Sequence, residues 1–167
     1  MSRFKFIAFI GLITLAFGVA LVADALAGEK VKGRCNFYRV KYEQIEVGDQ
    51  EGHVIAVFES KGIGTNREGG SFYDGWVESD AGLLDLNLKT RVGTAKGHEV
   101  VTDPDGDKLF VEWEGTVDPG GAHGKHDIVN GTGKWEGIRA KGTFTSRRVG
   151  PNQNYADWEM DVEFPGR

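Results

Sequence analysis

The sequence predicts an all-β fold: a single antiparallel, closed β-barrel of about eight strands, preceded by a cleavable signal peptide. Three observations carry this. Short strand candidates recur with turn signals between them, and no long helical period interrupts them. The chain holds 25 glycines but only 4 prolines, a composition of many turns and bends. The final strand candidate alternates cleanly: Trp158, Met160, Val162 and Phe164 share one face, and Glu159, Asp161 and Glu163 share the other.

Residues 1–27 have the outline of a secretory leader. Arg3 and Lys5 give a basic start, Phe6 to Val22 is almost wholly apolar, and Ala25-Leu26-Ala27 offers small residues to a signal peptidase. An uncleaved anchor is the rival reading, because the apolar stretch is nearly long enough to span a bilayer. Cleavage leaves residues 28–167 as one domain, secreted or periplasmic, without stable membrane insertion. Without Arg3, Lys5 and Asp24 that domain carries 18 basic and 24 acidic residues, a net charge of −6. A basic nucleic-acid footprint is absent, so no nucleic-acid partner is expected. Cys35 stands alone, so no intrachain disulfide can form. It reads first as a small buried apolar residue, with a reactive thiol or an intermolecular bridge as the alternatives.

Arg34 to Val47 and His53 to Ser60 are the first strands. Lys61 to Gly70 reads as a flexible polar loop, Ser71 to Glu78 as an aromatic strand, and Leu83 to Leu88 as a strand or short turn. Gly97 to Thr102 and Lys108 to Val117 flank Asp103-Pro-Asp-Gly-Asp107, a hairpin in which Asp-Gly supplies the unusual turn angles. Pro119 to Lys125 reads as a glycine-rich loop. Asp127 to Asn130, Gly142 to Val149 and Ala156 to Phe164 complete the set.

The run Gly131-Thr-Gly-Lys-Trp-Glu-Gly-Ile-Arg-Ala-Lys-Gly-Thr-Phe144 reads as a strand end, a tight turn around Trp135 and a new strand from Gly142. It is not a P-loop, because Ile128 stands where the first Gly belongs and Trp135 follows the Lys. It is not a dinucleotide fingerprint either, because Glu136 replaces the third Gly. The run resembles the late glycine motif of the allene oxide cyclase-like and dirigent-like barrel superfamily, which includes small bacterial members. Asp105-Gly-Asp107 followed by Phe110-Val-Glu-Trp-Glu-Gly115 is similar to those bacterial members. The resemblance covers about Gly97 to Phe164 well and the first half by strand count. It departs from the pattern at Asn130, Ala140 and Lys141. It implies the barrel fold, plausible self-association into a homo-oligomer, and no particular reaction. No catalytic residue of the plant cyclases maps onto this chain.

Asp103, Asp105, Asp107 and Glu114 match four positions of a calcium loop, but Lys108 stands where that loop needs Gly. His123, His126 and Asp127 could take a metal, yet no further ligand spacing supports a closed site. Neither a metal nor a cofactor is expected. Asn130-Gly131-Thr132 matches the N-glycosylation pattern, which the turn explains equally well.

The lumen is the more informative place. Tyr73, Trp76, Trp113, Tyr155 and Trp158 are the candidates to line it or plug it. Of the adjacent Arg147 and Arg148, one should point inward and need an acidic partner. Arg147, Glu78 and Glu112 are the candidate charged groups, and a carboxylate in an apolar lumen would have a raised pKa suited to acid–base work. The leading expectation is an exported barrel that binds a small apolar or aromatic molecule. The alternatives are an isomerase or cyclase holding a flexible hydrophobic substrate, with Glu112 assisting, and a structural envelope protein with a filled barrel.

Overall fold

The computed structural model describes residues 28–166, and the leader expected over residues 1–27 lies outside them. The strands are β1 (Glu29–Glu46), β2 (His53–Asn66), β3 (Val77–Asn87), β4 (Val92–Thr102), β5 (Lys108–Asp118), β6 (Gly121–Gly131), β7 (Arg139–Arg148) and β8 (Gln153–Glu163). Each pairs antiparallel with the next, and β8 returns to β1 to close the barrel. The fold is therefore all-β and an eight-stranded closed antiparallel barrel. Closure removes every sheet edge, so all eight ladders are satisfied without a covering layer.

Alternation sets the two faces. Along β8, Ala156, Trp158, Met160 and Val162 are buried, while Glu159, Asp161 and Glu163 are exposed. Along β5, Leu109 and Val111 are buried and Glu112 and Glu114 are exposed. Charges on the outer wall pair across strands, as in Lys30 with Asp161 and Arg34 with Asp157. The exposed Lys30 pair contributes little, whereas Arg34 grips a part-buried Asp157 with two 2.7 Å bonds.

Several boundaries differ from the sequence reading. Lys61 to Asn66 is strand, not loop, because Gly62 and Gly64 face inward beneath larger rings. A Cβ on Gly62 would lie 2.7 Å from Phe37, and one on Gly64 would lie 2.6 Å from Tyr73. These glycines admit aromatic side chains; they do not loosen the chain. Ser71 to Gly75 is not a strand but a turn, in which Tyr73 takes a left-handed φ of 67°. Strand β6 already begins at Gly121, inside the expected loop.

The connections alternate between two ends. At the floor, the β2–β3 loop carries Phe72, Tyr73 and Trp76 into the barrel. There Tyr73 stacks on Trp76 with ring centroids 5.7 Å apart, and Phe72 meets Trp135 edge-on at 5.5 Å. Trp135 belongs to a single 3-10 turn, Gly133–Trp135, between β6 and β7. Its indole N–H donates to Asp103 Oδ2 at 2.9 Å, which ties the glycine run to the β4–β5 hairpin. Offset and edge-on ring pairs of this kind add to their burial. The floor is thus a packed plug, while the connections at the other end frame a mouth.

Candidate functional site

Above the plug the lumen is open, with a cavity of about 510 Å³ that reaches the mouth. This is the size of a site for one small molecule. Its lower wall is aromatic, with Trp113, Phe144 and Trp158, and its upper wall carries Phe58, Leu84 and Leu86.

The polar groups form an ordered row. Arg39 pairs in register with Ser60, Ser60 with Asp80, and Asp80 with Glu99. All four side chains stand on the inward face, so one cross-strand line carries a guanidinium, a hydroxyl and two carboxyls. Glu78 lies two residues below Asp80 on the same face.

Asp80 is buried but reaches the cavity. Trp113 Nε1–H donates to its Oδ1 at 2.8 Å. Burial pushes its pKa up to about 6, against the opposing pull of the Trp113 bond and of Arg39. A carboxyl poised there can hold or release a proton near neutral pH.

Glu78 and Glu99 sit deeper, beside Cys35. Their ligating atoms and the Cys35 Sγ all lie within 4.8 Å of one another. Among the described residues no donor reaches either Glu78 oxygen or Glu99 Oε1. The protons of the two acids and of the Cys35 thiol are therefore what can join the cluster. Burial raises both acids above the ordinary carboxylate range, and the charge of Glu78 raises Glu99 further. The Cys35 thiol is also held up, first by burial and then by the two glutamates. It accepts a hydrogen bond from Trp158 Nε1 at 3.1 Å. The three groups could hold a metal ion only by losing protons that this environment retains.

His126 faces the same lumen from β6. Burial lowers its pKa to about 4, so the ring is neutral, and Nε2 has no partner among the described residues. It is separate in role from His123, which sits on the outer face bonded to Thr116.

Of the residues singled out from sequence, Tyr73, Trp113 and Trp158 line the cavity. Trp76 is buried in the plug below it. Tyr155 is corrected to the outer wall: alternation with Ala156 turns it outward, and the Arg34 guanidinium lies 3.9 Å from its ring centre. Glu112 is corrected likewise. It shares the solvent face with Glu114, and its nearest ionic neighbour is an exposed His98 at 4.0 Å. Arg147 also projects outward, and its neighbour Arg148 is the one that lines the mouth. Glu78 is inward and fully buried. Sequence reasoning missed Arg39, Asp80, Glu99 and the inward position of His126. Asp80 was hidden by a strand ended too early at Glu78, and Glu99 by the exposed acids on either side of it in the chain.

The calcium-like turn is filled from within the protein. Lys134 Nζ lies 2.7 Å from Asp103 Oδ2 and also pairs with Asp105. Asp103 Oδ1 accepts the backbone N–H groups of Asp105 and Asp107.

No protein-family model and no curated protein matches the chain. Among solved structures, the chain is similar to a pyocyanin demethylase, at 12% identity and a TM-score of 0.46, over 80% of this chain and 100% of that one. It is also similar to two pterocarpan synthase dirigent proteins. One is 11% identical with a TM-score of 0.49 over 81% of this chain and 88% of that one. The other is 10% identical with a TM-score of 0.48, over 83% and 97% respectively.

Proposed function

We propose that the barrel binds a small, largely apolar or aromatic molecule in its lumen. The observation that carries this is the open cavity of about 510 Å³, walled by aromatic and aliphatic side chains above an aromatic plug. A few polar groups converge in it, the usual composition of a small-molecule site. The setting we infer is outside the cytoplasm, following the leader-like residues 1–27. An N-terminus at Gly28 on protein from the extracytoplasmic fraction would support that setting, and an intact Met1 there would overturn cleavage.

The test is a neutral fluorescent probe, N-phenyl-1-naphthylamine, titrated into the purified protein. Binding is expected to brighten the probe and quench Trp113 and Trp158. Ala95→Phe places a ring in the cavity from β4 and should abolish the signal while the far-ultraviolet spectrum is kept. A signal unchanged in Ala95→Phe would place the probe elsewhere and sink the reading. Native mass spectrometry of protein from its own host would then name the retained molecule.

A second reading is favoured by Asp80 alone. A carboxyl with a pKa of about 6 inside a ligand-sized cavity is suited to proton transfer. The lumen would hold a flexible substrate in a reactive shape, as an isomerase or cyclase does, and Asp80 would move the proton. Asp80→Asn should then abolish turnover and leave binding in place. Turnover that survives this change would remove Asp80 from the chemistry.

A further inference from the structure

The upper lumen carries a charge pattern opposite to that of the whole chain. The protein has a net charge of −5. Yet Arg39, Arg91 and Arg148 all line the upper cavity and mouth, against one rim carboxylate, Asp118. Asp118 is itself occupied, accepting the backbone N–H groups of Gly120 and Gly121 at 2.6 and 3.1 Å. Arg148 is committed to its own loop, donating to the carbonyls of Gly150 and Pro151.

Arg39 is different. Its guanidinium is half-buried on the inward face and makes no ion pair or side-chain hydrogen bond among the described residues. It lies over two rings, 4.9 Å from the centre of Tyr42 and 5.6 Å from that of Phe58. Ring contacts hold a guanidinium in place but use none of its five N–H donors. The nearest acid in its row, Asp80, is one strand further on, beyond Ser60, and accepts from Trp113 instead. A positioned, partly desolvated cation with unused donors can receive a planar oxyanion.

Arg91 adds a second cation at the mouth. It stands in the β3–β4 turn with a left-handed φ of 60°. That conformation costs a non-glycine residue about 1 kcal/mol or more.

We propose that the molecule held in the lumen is an amphipathic carboxylate, with its anionic group on Arg39 and its aromatic or apolar body below against Trp113, Phe144 and Trp158. This rests on the lumen-binding reading and specifies its ligand class. The arginines at the mouth would raise the arrival rate of such an anion at an otherwise acidic protein.

The test uses a matched pair of probes, 2-naphthoate and its neutral isostere 2-naphthamide, titrated at pH 7.5 with tryptophan quenching as the readout. The naphthoate should bind at least about tenfold more tightly, as a charge-assisted hydrogen bond predicts. Arg39→Gln should erase that preference by weakening naphthoate about tenfold more than naphthamide. Asp80→Asn, which removes a negative charge from the same row, should strengthen naphthoate binding. Equal affinities for the two probes in the unmodified protein overturn the proposal and leave the lumen-binding reading standing. So does an Arg39→Gln variant that weakens both probes alike, which would mark Arg39 as structural. Binding of neither probe overturns both.

Discussion

Trp113 reaches across one strand to Asp80. The tryptophan is on β5 and the aspartate on β3, and the indole N–H closes a 2.8 Å bond over the intervening β4. The ring can lie there because the positions beneath it are glycines. Gly97 pairs with Trp113, and Gly82 pairs with Gly97. A Cβ on Gly97 would lie 2.5 Å from the indole, and one on Gly82 would lie 2.7 Å from it. The Asp80 carboxyl is thus held by a donor whose approach depends on missing side chains.

Gly97→Ala should therefore act at a distance on Asp80. The added methyl meets both the indole and the Ala81 carbonyl oxygen, at 2.4 Å from the latter. Overpacking of this kind costs about 1–3 kcal/mol. A lower Tm is expected, together with a rise in the Asp80 pKa as its donor is displaced. Trp113→Phe should raise that pKa without the methyl clash. Carboxyl carbon chemical shifts followed against pH report both, and an unchanged Asp80 titration in both variants would show that the bond contributes nothing to its poise.

Asp80→Asn keeps an acceptor for Trp113 but removes the charge. The sign follows from the direction of the shift. Asp80 is raised from 3.8 to about 6 on folding, so the folded state keeps a proton that the unfolded state gives up. Stability from this group is full below about pH 4 and is lost as the pH rises through 6. The substitution should accordingly raise stability at pH 7.5, by up to about 3 kcal/mol for a shift of about two units. The gain should vanish near pH 4. His126 has the opposite slope, because burial lowers it from 6.5 to about 4 and its contribution is lost on acidification through that window. The difference in Tm between Asp80→Asn and the unmodified protein, measured from pH 4 to 8, isolates the Asp80 contribution from that of His126. A difference that is flat with pH would contradict the raised pKa.

The architecture was legible where alternation was clean. Strand β8 shows both faces in sequence, and the turn chemistry of Asp105-Gly106 and of Gly131 to Gly137 marked two reversals. The site was legible only in part. Tyr73, Trp113, Trp158 and Glu78 were named because large rings and buried acids stand out singly. The row from Arg39 to Glu99 was not, because it exists only once four strands are placed in register. Inward glycines misled in the opposite sense. Gly62 and Gly64 look like loop residues, yet they are strand positions that make room for Phe37 and Tyr73. Glu112 misled because its neighbours Val111 and Trp113 are apolar: both point inward, so Glu112 between them points out with Phe110.

Cys35 should be inert in the folded protein. It is 3% exposed, and its thiol is raised by burial and by two neighbouring glutamates. The thiolate is the reactive form, so a disulfide reagent should label it slowly in native buffer and at once in denaturant. Non-reducing electrophoresis should show no covalent dimer. Rapid native labelling would mean that the reagent reaches the thiol through the lumen, whose lining includes Cys35.

The Asp103 turn gives a prediction about cations that does not depend on the lumen. Calcium would need the carboxylates of Asp103 and Asp105 to be free, but Lys134 already pairs with both. Asp103 also accepts from Trp135 and from two backbone amides, which leaves it with no idle lone pair to offer. Millimolar calcium should leave Tm unchanged. Lys134→Met should lower Tm by leaving a buried carboxylate without its counter-charge. Asp103→Ala should lower it further, because the same oxygens tie the β4–β5 hairpin to the glycine run through Trp135. If calcium restored the Tm of Lys134→Met, the turn would be a latent cation loop whose site the lysine occupies. If calcium raised the Tm of the unmodified protein, the internal ion pair would not be what satisfies these aspartates.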